Sequence, residues 1–135
     1  MFRISAYHHV GIRVTDENRA IDFYAVLGFQ PEPGCRWPEH DAIALINDDG
    51  LRINLIYNGK VRDSDNNVLL DEPEKWPGIT HVAFQVPDLD AVVEKMNSHG
   101  IRITEGPEVI GDQRRICFVR DPDGNVIEFD ELVDT

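Results

Sequence analysis

With 135 residues, 41% of them hydrophobic and 28% charged, the chain is long enough for one domain with a substantial core and has the composition of an ordinary globular protein. Its formal charge of −12 disfavours nucleic acid and anionic membrane surfaces as partners, because both bind basic faces. There is no N-terminal hydrophobic segment of signal length and no run near the roughly 18 apolar residues of a membrane span, so a cytoplasmic protein is expected. Cys35 and Cys117 form neither a CxxC redox pair nor a zinc knuckle, and buried thiols are the simpler interpretation.

The first half of the chain predicts a strand, a helix and two further strands. Residues from His9 to Val14 alternate enough to be a strand, and Asp16 then offers a helix N-cap. Apolar residues recur at helical spacing up to Gly28, which is expected to end the helix. The other elements of this half are a loop rich in Pro and Gly and two strands, predicted at 31–34, 42–46 and 51–57.

The second half of the chain repeats this order. His81 follows His9 by 72 residues. By the same interval, the second N-cap candidate Asp88 follows Asp16, and Gly100 follows Gly28. Two extra residues then shift the register, so that the turn Asp121-Pro122-Asp123-Gly124 follows Asn47-Asp48-Asp49-Gly50 by 74 residues. In this register Glu128 stands where the first half has Asn54. The sequence is therefore an internal duplication.

The duplication predicts an α+β fold of two tandem βαβββ modules, at about 7–57 and 79–131 of a single domain covering 1–135. We expect the modules to build a cup-shaped mixed sheet with the helices on the outside. The segment that joins them, 58–78, is polar and acidic and includes Asp65 and Asp71. Its length is compatible with a lid or an edge-wrapping connector and equally with a solvated linker.

The repeat singles out four strand positions, His9, Asn54, His81 and Glu128. Glu128 is a carboxylate inside an apolar strand, which is costly to bury unless it is paired, hydrogen-bonded or bound to a metal. Two imidazoles and one carboxylate are a recurring open metal site in zinc enzymes and non-haem Fe(II) oxygenases. His8 is the rival of His9, but strand alternation is expected to point it to the opposite face. We therefore predict that His9, His81 and Glu128 bind a metal, with Asn54 as a weak fourth ligand.

Four motifs recur in the order that the duplication predicts. They are His9-Val10-x-x-x-Val14-x-Asp16, Phe23-Tyr24-x-x-Leu27-Gly28-Phe29, His81-Val82-Ala83-Phe84-x-Val86 and Asp121-Pro122-Asp123-Gly124-Asn125-x-Ile127-Glu128. Through these motifs the chain resembles the vicinal oxygen chelate superfamily, which includes glyoxalase I, extradiol dioxygenases, fosfomycin-resistance proteins and bleomycin-binding proteins. The resemblance covers nearly the whole chain outside the 58–78 connector and implies one divalent metal ion, with zinc, nickel, manganese and iron all open.

This resemblance also implies roles for residues beside the metal. Asn54 stands where glyoxalase I has a glutamate that helps bind the metal and move a proton, and an amide cannot act as a general base, so only Glu128 remains for proton transfer. Arg13 and Asn58 match positions that contact the glutathione moiety in glyoxalase I, although solvated strand ends are an equal interpretation. Tyr57 could donate its hydroxyl to a bound oxyanion, but packing is the commoner role of a strand aromatic.

The function that this resemblance implies is a metal-dependent enzyme that chelates a small substrate through vicinal oxygens, with a glyoxalase-type lyase or isomerase as the first choice. The alternatives are an Fe(II) ring-cleaving dioxygenase and a non-catalytic protein that sequesters a small toxic compound. A homodimer is expected, with the site formed inside one chain or across two. Arg114 and Arg115 are expected to precede a strand and face solvent.

Overall fold

The computed structural model describes residues 1–64, 66–111 and 113–132, so that Asp65 of the connector lies outside the described residues. The chain divides into two compact units, Met1–Val61 and Arg62–Thr135. Across the described ranges, each unit contains one α-helix and one four-stranded sheet. None of the helices in these ranges is long and apolar enough to cross a membrane.

The first unit consists of four strands in the order β1-β4-β3-β2 and one helix. Strand β1 runs parallel to β4, whereas β3 is antiparallel to both β4 and β2. The elements in chain order are β1 (Val10–Arg13), α1 (Glu17–Val26), β2 (Gln30–Trp37), a short 3-10 helix (Pro38–His40), β3 (Ala42–Ile46) and β4 (Arg52–Ile56).

The second unit has the same topology, with strand order β5-β8-β7-β6. Strand β5 runs parallel to β8, and β7 is antiparallel to both of its neighbours. Helix α2 packs against β7 and β8. The elements in chain order are β5 (His81–Gln85), α2 (Leu89–Ser98), β6 (Glu105–Ile110), β7 (Arg114–Arg120) and β8 (Val126–Leu132).

The internal duplication is confirmed at the level of strand register. Val10 pairs with Ile53 in the first sheet, and Val82, 72 residues after Val10, pairs with Ile127, 74 residues after Ile53. Helix α2 likewise begins and ends 72 residues after α1. The predicted α+β fold of two βαβββ modules is therefore the observed one.

Both helices begin at the predicted N-caps and end before the predicted glycines. The Asp16 carboxylate accepts a hydrogen bond from the backbone N–H three residues later, at 2.9 Å, and Asp88 does the same at 3.2 Å. Gly28 and Gly100 follow the helix ends with φ of 96° and 70°. That left-handed conformation suits glycine, which explains why the two repeats share it.

One loop prediction is wrong, because the stretch 31–34 lies inside β2. Strand β2 is at the edge of its sheet and pairs irregularly, with a register shift between Pro31 and Arg36. An edge strand tolerates proline, and Gly34, at φ 77°, suits the irregularity.

Arg114 and Arg115 also differ from the prediction, since they form the first two residues of β7 instead of preceding it.

Candidate metal centre

The structure brings two of the predicted metal ligands together in the second unit. His81 lies opposite Val126 and Glu128 lies opposite Ala83 in the parallel pair of β5 and β8, so both side chains are on one face of the sheet. His81 Nε2 is 3.0 Å from Glu128 Oε1. Glu128 is only 7% exposed, so the buried carboxylate has the partner that its sequence position required.

A third polar residue, Asp130, lies on the same face and was not predicted from the sequence. It is 8% exposed, and its Oδ2 accepts a hydrogen bond from Arg114 at 2.6 Å. Its buried Oδ1 has no hydrogen-bond partner among the described residues. Because alternate residues of a strand share a face, the position of Asp130 two residues after Glu128 indicated that the two side chains lie on the same face. The sequence alone does not show that Asp130 is buried.

The setting of Glu128 changes its acidity. Burial, and after it the neighbouring Asp130 carboxyl, raise the pKa of Glu128, while His81 acts in the opposite direction. Negative charge is therefore concentrated where water has limited access. Such a place is favourable for a cation, which would satisfy the carboxylate more fully than the imidazole does.

Two residues besides Glu128 contact the His81 imidazole. Thr80 Oγ1 lies 2.7 Å from His81 Nδ1. The Phe118 ring packs edge-on to the imidazole, with ring centroids 5.7 Å apart at an interplanar angle of 70°. The Nε2 atom is thus turned toward Glu128 while the opposite nitrogen is engaged by Thr80.

His9, the predicted ligand of the first unit, lies immediately before β1 and is exposed. Its Nδ1 is 2.9 Å from His8 Nδ1, and the two rings meet edge to face with centroids 5.1 Å apart. The expectation that His8 points to the opposite face is therefore wrong. Strand alternation does not separate the two rings, because the regular strand begins only at Val10.

Asn54 lies in the middle of β4, opposite Gly11 of β1 and Ala44 of β3. It is half-buried, and its place in the sheet is the one that Glu128 holds in the second unit. The repeat-based alignment of these two positions is thus reproduced by the pairing of the strands.

The predicted substrate-binding residues meet where β4 ends. The Arg13 guanidinium donates a hydrogen bond to the Tyr57 carbonyl at 3.3 Å. The Asn58 side-chain amide donates to the Asp41 carboxylate at 3.1 Å, and Asn58 has a left-handed φ of 63°. Tyr57 is 8% exposed, which favours the packing interpretation of its ring. Hydrogen bonds therefore hold Arg13 and Asn58 at the ends of β1 and β4.

Part of the connector is attached to the second unit at the end of β7. The Arg120 guanidinium donates two hydrogen bonds to the Asp71 carboxylate, and the Asn67 side chain donates to the Gly124 carbonyl at 3.2 Å. Asp71 also accepts from the Asn67 backbone N–H at 2.6 Å. Arg120 lies opposite Val126, in the same row across the sheet as His81. Asn67 and Asp71 of the connector are therefore held at the end of β7 and at the turn that follows it.

The donor chemistry of the His81–Glu128 pair fits a divalent cation. With metal–ligand bonds of about 2.1 Å, two adjacent ligands of one ion lie roughly 3 Å apart. The observed separation of the two donor atoms is 3.0 Å. Within residues 1–64, 66–111 and 113–132, no three His, Cys, Asp or Glu side chains are already grouped as a metal-binding set.

Comparison with known proteins defines the class to which this chain belongs. A model of the Glyoxalase/Bleomycin resistance protein/Dioxygenase superfamily matches residues 6–129. The lactoylglutathione lyase of Haemophilus influenzae is 35% identical over 130 residues, which cover 91% of this chain and 90% of that protein. The chain belongs to the Glyoxalase/Bleomycin resistance protein/Dioxygenase superfamily.

Two solved structures share the fold. A glyoxalase family protein from Bacillus cereus superposes with a TM-score of 0.75 at 19% identity, covering 98% of this chain and 97% of that one. An antibiotic binding protein from Streptomyces sp. CB03234 gives 0.71 at 21% identity, with coverage of 98% and 100%. At these identities the likeness concerns the fold alone.

Proposed function

We propose that this protein is a metal-dependent, glyoxalase-type lyase or isomerase that binds a small substrate through two adjacent oxygens. The observation that carries the proposal is the His81–Glu128 pair, a buried carboxylate and an imidazole with donor atoms 3.0 Å apart on one face of the second sheet. Support comes from relatives named lactoylglutathione lyase or probable lactoylglutathione lyase, at 30–35% identity over most of their length.

The proposed ligands are His9, His81 and Glu128, with Asn54 as a weak fourth. His9 is contributed either by the same chain or by a second copy in a homodimer. The ion is zinc, nickel, manganese or iron, since imidazole and carboxylate donors accept all four. When bound, such an ion acts as a Lewis acid that stabilises negative charge on substrate oxygens.

The protein's own groups supply proton transfer and substrate contacts. Glu128 is the proposed base, because among the predicted ligands it is the carboxylate, a group that can accept a proton from the substrate. Asn54 has no basic oxygen and contributes only an amide dipole. Arg13 and Asn58, ordered at the end of β4, are proposed to bind the polar part of the substrate, such as an anionic peptide-like moiety.

The test is metal content and turnover of the purified protein with the hemithioacetal formed from methylglyoxal and glutathione. We expect about one equivalent of divalent metal per site and conversion to the lactoyl thioester. His81→Ala should lose both, whereas His99→Ala, an exposed histidine at the end of α2, should lose neither. Full turnover in the His81 variant would refute a metal mechanism at this site.

An Fe(II) ring-cleaving dioxygenase is the second candidate, and Asn54 is the observation that favours it. Without a carboxylate at that position, the ligand set reduces to two histidines and one glutamate, the composition of the facial triad of non-haem iron oxygenases. Iron as the bound metal, together with oxygen consumption on a catechol and no lyase activity, would select this candidate.

A further inference from the structure

In both units, the residue that precedes a predicted ligand histidine contacts the Nδ1 atom of that histidine. Thr80 Oγ1 is 2.7 Å from His81 Nδ1, and His8 Nδ1 is 2.9 Å from His9 Nδ1. Thr80 follows His8 by the same 72 residues that separate the two histidines. The duplicated units therefore engage the same imidazole nitrogen with chemically different side chains.

This contact engages Nδ1 of each ring and leaves Nε2 as the nitrogen without that partner. A neutral imidazole carries one proton, and a metal binds the nitrogen that lacks it. In His81, Nδ1 is occupied by Thr80 while Nε2 is turned toward Glu128. Coordination through Nε2 places the proton on Nδ1, so a group that accepts a hydrogen bond from Nδ1–H stabilises the metal-binding tautomer.

The Thr80 hydroxyl can serve both tautomers of His81. When Nε2–H donates to Glu128, the bare Nδ1 accepts a hydrogen bond from the hydroxyl. When Nδ1 carries the proton, the hydroxyl oxygen accepts it instead. His8 Nδ1 can likewise donate a hydrogen bond to His9 Nδ1 or accept one from it, depending on which nitrogen of the His8 ring carries the proton. The ligand ring can therefore exchange its proton between nitrogens without losing its Nδ1 partner.

We propose that Thr80 and His8 are positioning residues, which orient Nε2 of His81 and of His9 toward a divalent metal. This inference rests on the proposed function, because it takes both histidines as ligands. Phe118 limits rotation of the His81 ring through its edge-on contact, and Thr80 supplies the polar half of the support. Outer partners of metal-binding histidines commonly change metal affinity by about 10–100-fold.

The experiment measures Zn²⁺ affinity by competition with a chromophoric chelator for the wild type, Thr80→Val and Thr80→Ser. Valine keeps the branched shape and removes the hydroxyl, whereas serine keeps the hydroxyl. We expect a loss of about 10–100-fold with valine and near wild-type affinity with serine. Long-range ¹H–¹⁵N NMR of the zinc-loaded wild type should show the remaining imidazole proton of His81 on Nδ1.

His8→Ala is the matching test in the first unit, with the 3-10 helix variant His40→Ala as its control. A weaker Zn²⁺ affinity in the His8 variant alone is the expected result. Wild-type affinity in Thr80→Val, or an equal loss in Thr80→Ser, would overturn the role of Thr80 and leave the metal site standing. Failure of the wild type to bind any of the four candidate metals would overturn the proposed function, and the positioning roles with it.

Discussion

Asn54 and Glu128 hold equivalent places in two sheets of the same topology. Asn54 lies opposite Gly11 of β1, as Glu128 lies opposite Ala83 of β5. One unit thus presents an amide where the other presents a carboxylate. The two units share the backbone position but differ in its chemistry, because the amide of Asn54 cannot act as a general base.

Restoring a carboxylate at position 54 is the most direct test of this asymmetry. If the protein is a glyoxalase-type enzyme, Asn54→Glu should tighten metal binding and raise turnover, by up to about 100-fold for an added general base. Asn54→Gln is the matched control, because it lengthens the side chain without adding a base. Steady-state kinetics on the metal-loaded proteins distinguishes them, and equal rates for the two variants would count against a catalytic place for this position.

Glu128→Gln should separate metal binding from stability. The folded-state pKa of Glu128 is raised, so the ionised carboxylate destabilises the metal-free fold above that pKa, and the penalty vanishes below the unfolded value of about 4.3. The variant should therefore melt higher than the metal-free wild type at pH 7 and equally at pH 4, while binding metal more than about 100-fold more weakly. Calorimetry at both pH values measures the first effect. A lower melting temperature at pH 7 would contradict the assigned burial cost.

The Asp71–Arg120 pair should stabilise the second unit in a pH-dependent way. Arg120 lowers the pKa of Asp71 in the folded protein. The contribution of the ion pair to the free energy of unfolding is therefore complete above the unfolded-state pKa of about 3.9, and it is lost as the pH falls through the folded-state pKa of Asp71. A double-mutant cycle with Asp71→Asn and Arg120→Gln should give a coupling energy of about 1 kcal/mol at pH 7.

The attachment of the connector can be followed in the same variants. Breaking the pair frees residues 67–71 from the end of β7, so proteolysis in the connector should become faster in either single variant. Cleavage at the wild-type rate in both would mean that the remaining Asn67–Gly124 contact suffices to hold the segment.

If the protein is a homodimer that binds metal at the proposed site, mixing two defective variants tests whether His9 and Glu128 of one site come from one chain or from two. If they come from different chains, a heterodimer of His9→Ala and Glu128→Ala contains one site with both ligands intact. If they come from the same chain, every site in that heterodimer is damaged. Recovery of about half the wild-type metal content in isolated heterodimers is expected for the shared arrangement, and none for the other.

Several features of this protein follow from local sequence signals. Helix caps at Asp16 and Asp88, helix ends at Gly28 and Gly100, and the βαβββ order were all predicted, because capping, left-handed glycine and periodicity depend on neighbouring residues. The need of Glu128 for a partner followed in the same way, since a carboxylate in an apolar strand must be satisfied.

Tertiary structure decided what depends on strand pairing and on contacts distant in sequence. The stretch 31–34 became a strand because an edge position needs few regular hydrogen bonds from its prolines. Asp130 became a buried neighbour of Glu128, and Asp71 found Arg120 49 residues further along the chain. Local periodicity places Asp130 on the same strand face as Glu128, but it carries no information on the burial of that face or on the Asp71–Arg120 pair, because both depend on packing between distant parts of the chain.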